Sequence, residues 1–100
     1  MNITVLTPDK QIFKGPIVSI KVPGTNGQFQ VLKNHAPIVS SLSEGNIEIV
    51  TSSGEYEFYN EETSSIETAE ASGTKISYQI KSGFIEVLNN EVSLLAQLQS

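Results

Sequence analysis

Apolar and polar residues alternate with a period of two along nearly the whole chain. The run VSIKV, residues 18–22, alternates valine and isoleucine with serine and lysine, and GQFQVL, NIEIV, EYEFYN and KISYQIK repeat the pattern. A period of two places successive side chains on opposite faces of a strand, one facing a core and the other facing water. The alternation therefore predicts an all-β protein.

Short segments rich in Pro, Gly, Asn and Ser divide the apolar runs at close intervals. With breaks at Gly15-Pro16 and Ser82-Gly83 among others, they predict about ten strands. The predicted strands are 2–7, 11–14, 17–22, 28–32, 38–42, 46–51, 55–60, 75–81, 83–88 and 91–97. Many short strands with close turns are typical of sandwiches, so we predict a roughly ten-stranded antiparallel β-sandwich without a long helix.

Residues 60–74, NEETSSIETAEASGT, depart from the alternation. They carry four glutamates and no basic residue, within a chain of net charge −5. We predict a single domain over residues 1–100, in which 60–74 is an acidic loop insertion. As an alternative, a helical turn over Ser65 to Ala71 would put Glu67 and Glu70 on one face, where carboxylate oxygens suit a divalent cation.

The composition argues against most kinds of catalytic site. The chain has no cysteine, and its only histidine, His35, cannot form a multi-histidine metal site. It has neither a Gly-x-Ser-x-Gly elbow nor a phosphate-binding Gly-x-x-x-x-Gly-Lys motif. Its acidic charge lacks the basic footprint of nucleic-acid binding, and its first ten residues do not resemble a signal peptide. We predict a protein with no catalytic residue, no cofactor and no metal.

The only histidine lies in a segment of dense turn chemistry, PGTNGQFQVLKNHAPI, residues 23–38. Asn34 tolerates the left-handed backbone conformation, and Ala36 is biased towards an extended one because Pro37 follows it. This turn aims the imidazole of His35 in one direction. We interpret His35 as a turn or interface residue. A satisfied core position and a hydrolase pairing with a nearby serine stay open as alternatives.

Several apolar residues have apolar neighbours, which a strand must place on opposite faces. Ile38 precedes Val39, Val87 precedes Leu88, and Leu94 precedes Leu95. If one member of each pair enters the core, the other is left on the surface. Exposed apolar side chains that cluster mark an interaction site.

Taken in order, the turn motifs resemble the epsilon subunit of bacterial F-type ATP synthases. The matching segments are Thr7-Pro8, Phe13-Lys14-Gly15, Val22-Pro23-Gly24, Gly27-Gln28-Phe29, Asn34-His35-Ala36-Pro37, Glu44-Gly45 and Gly83-Phe84-Ile85-Glu86-Val87. The resemblance implies a β-sandwich in the rotor of the enzyme, a non-catalytic subunit of the central stalk that links the gamma subunit to the membrane c-ring. It also implies a peripheral location on the cytoplasmic face of the bacterial inner membrane.

The resemblance further implies that one end of the sandwich faces the c-ring. The residues it assigns to that interface are Thr25, Asn26, Gln28, Gln30, Lys33, Asn34, His35 and Pro37, and those it assigns to structural turns are Pro23, Gly24, Gly27 and Gly83. The chain departs from the family pattern at Gln28, where the family has glutamate, at Gln30 in place of glycine, and at Lys33 in place of proline. The loss of the carboxylate at Gln28 removes one charge-assisted contact to a basic partner.

Members of that family often carry a C-terminal pair of helices that inhibits ATP hydrolysis. The sequence stops at Ser100, so the resemblance is to a short form without this hairpin, and we expect no regulation of that kind. A free-standing β-sandwich that binds a small ligand is the alternative function. Co-purification with a gamma subunit distinguishes the two.

Overall fold

A computed structural model describes residues 1–99, and within that range the chain forms nine strands and no helix. The strands are β1 (Asn2–Leu6), β2 (Gln11–Gly24), β3 (Gly27–Leu32), β4 (Ile38–Leu42), β5 (Gly45–Thr51), β6 (Glu55–Asn60), β7 (Ser65–Glu70), β8 (Lys75–Leu88) and β9 (Glu91–Leu98). The described residues thus contain no helix long and apolar enough to cross a bilayer.

Two fourteen-residue strands, β2 and β8, each belong to both layers of the molecule. The first half of β2 pairs with β1 and β6, and its second half pairs with β3 and β5. The first half of β8 pairs with β5, and its second half pairs with β4 and β9. One layer is therefore β3-β2-β5-β8 and the other is β4-β8-β9-β1-β2-β6-β7. These pairings are antiparallel except for β1 with β9. The predicted all-β sandwich is confirmed.

The core lies between the layers and is built from the inward residues of the alternating runs. The buried hydrophobic residues are Ile3, Val5, Ile12, Phe13, Ile17, Ile20, Val22, Val31, Leu42, Ile47, Ile49, Tyr56, Ile80, Ile85, Val87, Val92, Leu94 and Ala96. Phe13 and Tyr56 stack with ring centroids 5.4 Å apart. Each large aliphatic side chain in this core contributes about 1.5–3 kcal/mol by its burial.

The predicted breaks at Gly15-Pro16 and Ser82-Gly83 are wrong, because β2 and β8 each run through them. These two glycines lie within strands, at points where a neighbouring strand comes too close for a side chain. A Cβ on Gly15 would collide with the Cβ of Tyr56, and one on Gly83 would lie 2.8 Å from the carbonyl oxygen of Leu95. Gly83 is therefore a strand residue and not a structural turn. Merging two pairs of predicted strands leaves eight, and β7 makes the ninth.

The prediction of an acidic loop over residues 60–74 is also wrong, as is the alternative of a helical turn. Residues Ser65–Glu70 form β7, which pairs with β6 along its whole length. The carboxylate of Glu67 closes the hairpin turn, because its Oε2 accepts hydrogen bonds from Asn60 Nδ2 at 3.1 Å and from Thr63 Oγ1 at 2.8 Å. Glu67 and Glu70 are three residues apart in a strand, so they point to opposite faces.

Candidate docking surfaces

Apolar side chains cluster on the outer face of the larger layer. Eight large hydrophobic residues are exposed among those described, and five of them lie on this one face of β1, β4, β8 and β9. We call this set the apolar face: Leu6, Val39, Phe84, Leu88 and Leu95, with exposed fractions between 41% and 60%. A concentration of this kind marks an interaction surface, whereas single exposed hydrophobic residues are ordinary.

The strand register brings the members of the apolar face together. Leu95 of β9 stands opposite Leu6 on one side and Phe84 on the other, which makes a stripe across three strands. A shallow depression of about 180 Å³ lies among these side chains, and one of about 230 Å³ lies between Val39 and Leu88. The face is therefore indented at two places, which suits the side chains of another protein.

The paired apolar neighbours behave as predicted. Leu94 is 1% exposed and Leu95 is 51% exposed, and Val87 and Leu88 divide between core and surface in the same way. Sequence reasoning did not single out Leu6 or Phe84. The same signal was present at both, since Leu6 follows buried Val5 and Phe84 precedes buried Ile85.

The loop of residues 33–37 between β3 and β4 holds His35 by its backbone and its ring. The backbone N–H of His35 donates to the carbonyl of Leu32 at 3.1 Å, and ring Nδ1 lies 2.7 Å from the carbonyl oxygen of Ala36. A carbonyl only accepts, so this bond requires the tautomer with a proton on Nδ1. The imidazole is half-buried and its direction is set locally. This contact agrees with the prediction that the turn aims the ring in one direction.

Asn34 adopts the left-handed conformation expected of it, with φ 66°. Its backbone N–H donates to Oδ1 of Asn90 at 2.6 Å, and its own Oδ1 accepts from Nδ2 of Asn90 at 3.1 Å. Asn90 lies in the turn between β8 and β9, so two distant connections of the chain are joined here. Sequence reasoning missed Asn90, because nothing local reveals a partner 56 residues away.

The eight residues assigned to a ring interface do not form one compact patch. Thr25 and Asn26 connect β2 to β3, whereas Lys33 begins the loop at the other end of β3. The six residues of β3 span roughly 20 Å between them. Gln28 and Gln30 are exposed along this strand. The structure therefore gathers Lys33, Asn34, His35 and Pro37, and spreads the other four along an edge.

The remaining turn residues flank the β2–β3 connection. Pro23 and Gly24 end β2, and Gly27 begins β3 with φ 123°, the positive value that a glycine there permits. The N–H of Thr25 donates to the carbonyl of Ser41 at 3.2 Å, which rests this turn against β4.

A groove of about 510 Å³ lies near Lys10, Tyr59, Tyr78 and Lys81. Lys10 Nζ lies 4.0 Å from the ring centroid of Tyr59. Burial raises the pKa of Tyr78 to about 12, and its hydroxyl donates to the carbonyl of Ile12 at 3.4 Å. The phenol therefore stays protonated at neutral pH, so it is not poised as a base or a nucleophile.

The described residues offer surfaces in place of a reaction centre. Within residues 1–99, the two hydrogen bonds of His35 both go to backbone carbonyls, which does not bear out a pairing of its ring with a serine hydroxyl. Across the same range, no three His, Asp or Glu side chains gather closely enough to hold a metal ion. The arrangement can bind another protein through these surfaces.

Comparisons with known proteins agree with this description. Residues 1–61 match the family model described as ATP synthase, Delta/Epsilon chain, beta-sandwich domain. The ATP synthase epsilon chain of Chlorobaculum tepidum is 35% identical over 96 residues, which cover 96% of this chain and 88% of that protein. The ATP synthase epsilon chain of Leptospira borgpetersenii is 34% identical over 96 residues, which cover 95% of this chain and 59% of that protein. The chain thus spans about three-fifths of the Leptospira relative.

Among solved structures, a chain of the Euglena gracilis mitochondrial ATP synthase, in an OSCP/F1/c-ring assembly, superposes with a TM-score of 0.69 at 23% identity. The superposition covers 94% of this chain and 48% of that one, and it shows that the two share a fold. The family match extends over more than half of the sequence and the Chlorobaculum relative aligns along nearly its whole length. The chain therefore belongs to the delta/epsilon family of ATP synthase subunits, of which it carries the β-sandwich domain.

Proposed function

We propose that this chain is a non-catalytic subunit of the central stalk of a bacterial F-type ATP synthase. In this role it joins the gamma subunit to the c-ring and helps to couple ion flow to ATP synthesis, as a peripheral protein on the cytoplasmic face of the inner membrane. The observation that carries the proposal is the apolar face, an exposed hydrophobic surface on a domain of this family.

The apolar face fits the gamma subunit better than a lipid surface. Glu86 lines both depressions of the apolar face, and Glu91 stands opposite Leu88. These carboxylates, together with a net charge of −5, oppose binding to the anionic headgroups of a bacterial membrane. A protein interface accommodates such a mixture of apolar and polar groups, since a protein–protein interface is on average about as apolar as the rest of the surface.

The loop of residues 33–37 and the adjacent edge strand β3 supply the contact with the c-ring. Lys33 and Pro37 are exposed, His35 is half-buried, and Gln28 and Gln30 project from β3. Thr25, Asn26 and Asn34 complete the proposed ring-facing set. The uncharged amides of Gln28 and Gln30 favour ordinary hydrogen bonds to polar loops of a ring.

Exchange of His35 in the assembled enzyme tests the ring contact. We expect His35→Ala and Gln28→Ala each to leave the isolated domain folded, because surface substitutions in loops change stability by about 0.5 kcal/mol or less. In the ATP synthase of the source organism, the same variants should lower ATP synthesis driven by a proton gradient at unchanged catalytic-site activity. Unfolding of the domain by His35→Ala would identify it as a core residue and contradict the assignment.

A further inference from the structure

The turn between β8 and β9 has an unusual backbone. Its two residues, Asn89 and Asn90, both have positive φ, at 51° and 62°, and they join the paired residues Leu88 and Glu91. This is the geometry of a type I′ hairpin turn, in which the second position normally favours glycine. Asparagine at that second position is less usual than glycine, although it tolerates the left-handed region.

Asn90 uses all of its polar atoms apart from its own N–H to fasten neighbouring segments. Its side chain exchanges two hydrogen bonds with Asn34, at 2.6 Å and 3.1 Å. Its carbonyl accepts the N–H of Asn2 at 3.0 Å. The pair of side-chain bonds, called the asparagine lock below, ties the loop of residues 33–37 to the β8–β9 hairpin.

The same hairpin carries much of the apolar face. Leu88 immediately precedes the turn, Phe84 lies on β8 and Leu95 lies on β9. Pro37, at the end of the loop, lines the same depression as Leu88. The asparagine lock therefore stands where the loop and the apolar face meet.

Resting on the function proposed above, we infer that Asn90 is a positioning residue. It holds the loop of residues 33–37 in its ring-binding conformation and in a fixed orientation to the apolar face. The two docking surfaces then behave as one rigid body. A loop ordered before docking loses less conformational entropy when it binds, which strengthens the contact without adding a new one.

The chain offers a matched pair of variants. Asn90→Gly and Asn89→Gly both suit positive φ and both keep the backbone of the turn, but only Asn90→Gly removes the asparagine lock. Asn34→Gly is a third variant, which keeps the backbone N–H bond to Asn90 Oδ1 and loses the second bond. It should give an intermediate effect.

Two measurements test the inference. The first is amide hydrogen exchange in the free chain, where Asn90→Gly should speed exchange at the Asn34 N–H more than tenfold and Asn89→Gly should not. The second is binding to the gamma subunit alone and to the gamma–c-ring assembly of the source organism. Asn90→Gly should weaken binding to the assembly about tenfold, as the loss of two ordinary hydrogen bonds implies, and leave binding to gamma unchanged.

The outcomes separate this inference from the function on which it rests. Failure of the unmodified chain to bind either partner overturns the proposed function, and the ring-related role of Asn90 with it. Normal binding by the unmodified chain, combined with equal effects of Asn89→Gly and Asn90→Gly, overturns the role of Asn90 alone. Unchanged exchange at Asn34 in Asn90→Gly has the same consequence.

Discussion

Leu95→Glu is the sharpest perturbation of the apolar face. Leu95 lies at the centre of the stripe between Leu6 and Phe84, and 51% of its side chain is exposed. It points away from the core, in which its neighbour Leu94 is buried. We expect Leu95→Glu to lower the free energy of unfolding of the isolated chain by no more than about 1 kcal/mol, because only about half of the leucine side chain is buried in the free chain.

The effect on binding should be much larger. Full burial of a leucine side chain contributes about 1.5–3 kcal/mol, so covering the exposed half of Leu95 contributes about 1 kcal/mol. A glutamate in its place would be buried without a partner, which costs about 3–5 kcal/mol. The sum is roughly 4 kcal/mol or more, close to a thousandfold loss of affinity. Leu95→Ala removes only the first contribution and should weaken binding about fivefold.

Calorimetric titration of the gamma subunit with each variant measures these differences. Val18→Glu is the matched control, since Val18 is 48% exposed and sits at an irregularity in β2 between Ile17 and Ser19. Val18 lies seven residues along β2 from Gln11, the partner of Leu6, and so roughly 20 Å from the stripe. Equal losses in both glutamate variants, or none in Leu95→Glu, would refute the assignment of the apolar face to gamma.

Three further predictions concern stability. Burial raises the folded-state pKa of Tyr78 from 10.0 to about 12, so the stability that its protonated hydroxyl contributes is complete below pH 10 and is lost as the pH rises to about 12. Denaturant unfolding across this pH range should show the loss of stability. The Tyr78→Phe variant should not show this pH-dependent loss. Glu67→Ala should cost about 1 kcal/mol through its two hydrogen bonds. Glu70→Ala on the same strand should be neutral or stabilising because Glu70 stands opposite Glu55, and equal losses in the two would contradict the hairpin geometry. Gly15→Ala should lower the free energy of unfolding by about 1–3 kcal/mol, because the added methyl group clashes with Tyr56. A melting temperature unchanged from that of the native chain would contradict this prediction.

The strands were predictable because most of them have one wet face and one dry face. β7 was missed for the opposite reason. It is the outer strand of a hairpin at the sheet edge, and Ser65, Ile66, Thr68 and Glu70 are all exposed. Without burial there is no apolar alternation to read, and four glutamates in and around it resemble a solvated loop.

The predicted strand breaks were wrong because glycine occurs in a β protein both at turns and within strands that another strand approaches closely. Beside Pro16, Gly15 is typical of a turn, yet the structure uses it to let β6 approach β2. Which case applies depends on the strand that crosses at that point, and a single sequence does not contain that register.

The docking surfaces were likewise predictable where the signal is local and unpredictable where it depends on contacts between distant strands. Adjacent apolar residues predicted that side chains would be left outside the core, because the direction of a strand residue follows from its neighbour. That those side chains would meet on one face depended on the order β4-β8-β9-β1. The contact of Asn34 with Asn90 was beyond local reasoning altogether, since each asparagine accounts for its own turn and neither indicates the other.

The two long strands connect the two proposed docking surfaces without a hinge. β8 supplies Phe84 and Leu88 to the apolar face, and in its other half it pairs with β5 in the second layer. β2 links the layers in the same way and pairs with β3, the strand that carries Gln28 and Gln30. A load applied at the apolar face would thus reach the edge strand β3, the proposed ring-facing edge, through hydrogen-bonded strands. In the proposed rotor role this stiffness would favour transmission of torque, and the inferred asparagine lock would extend it to the loop that carries His35.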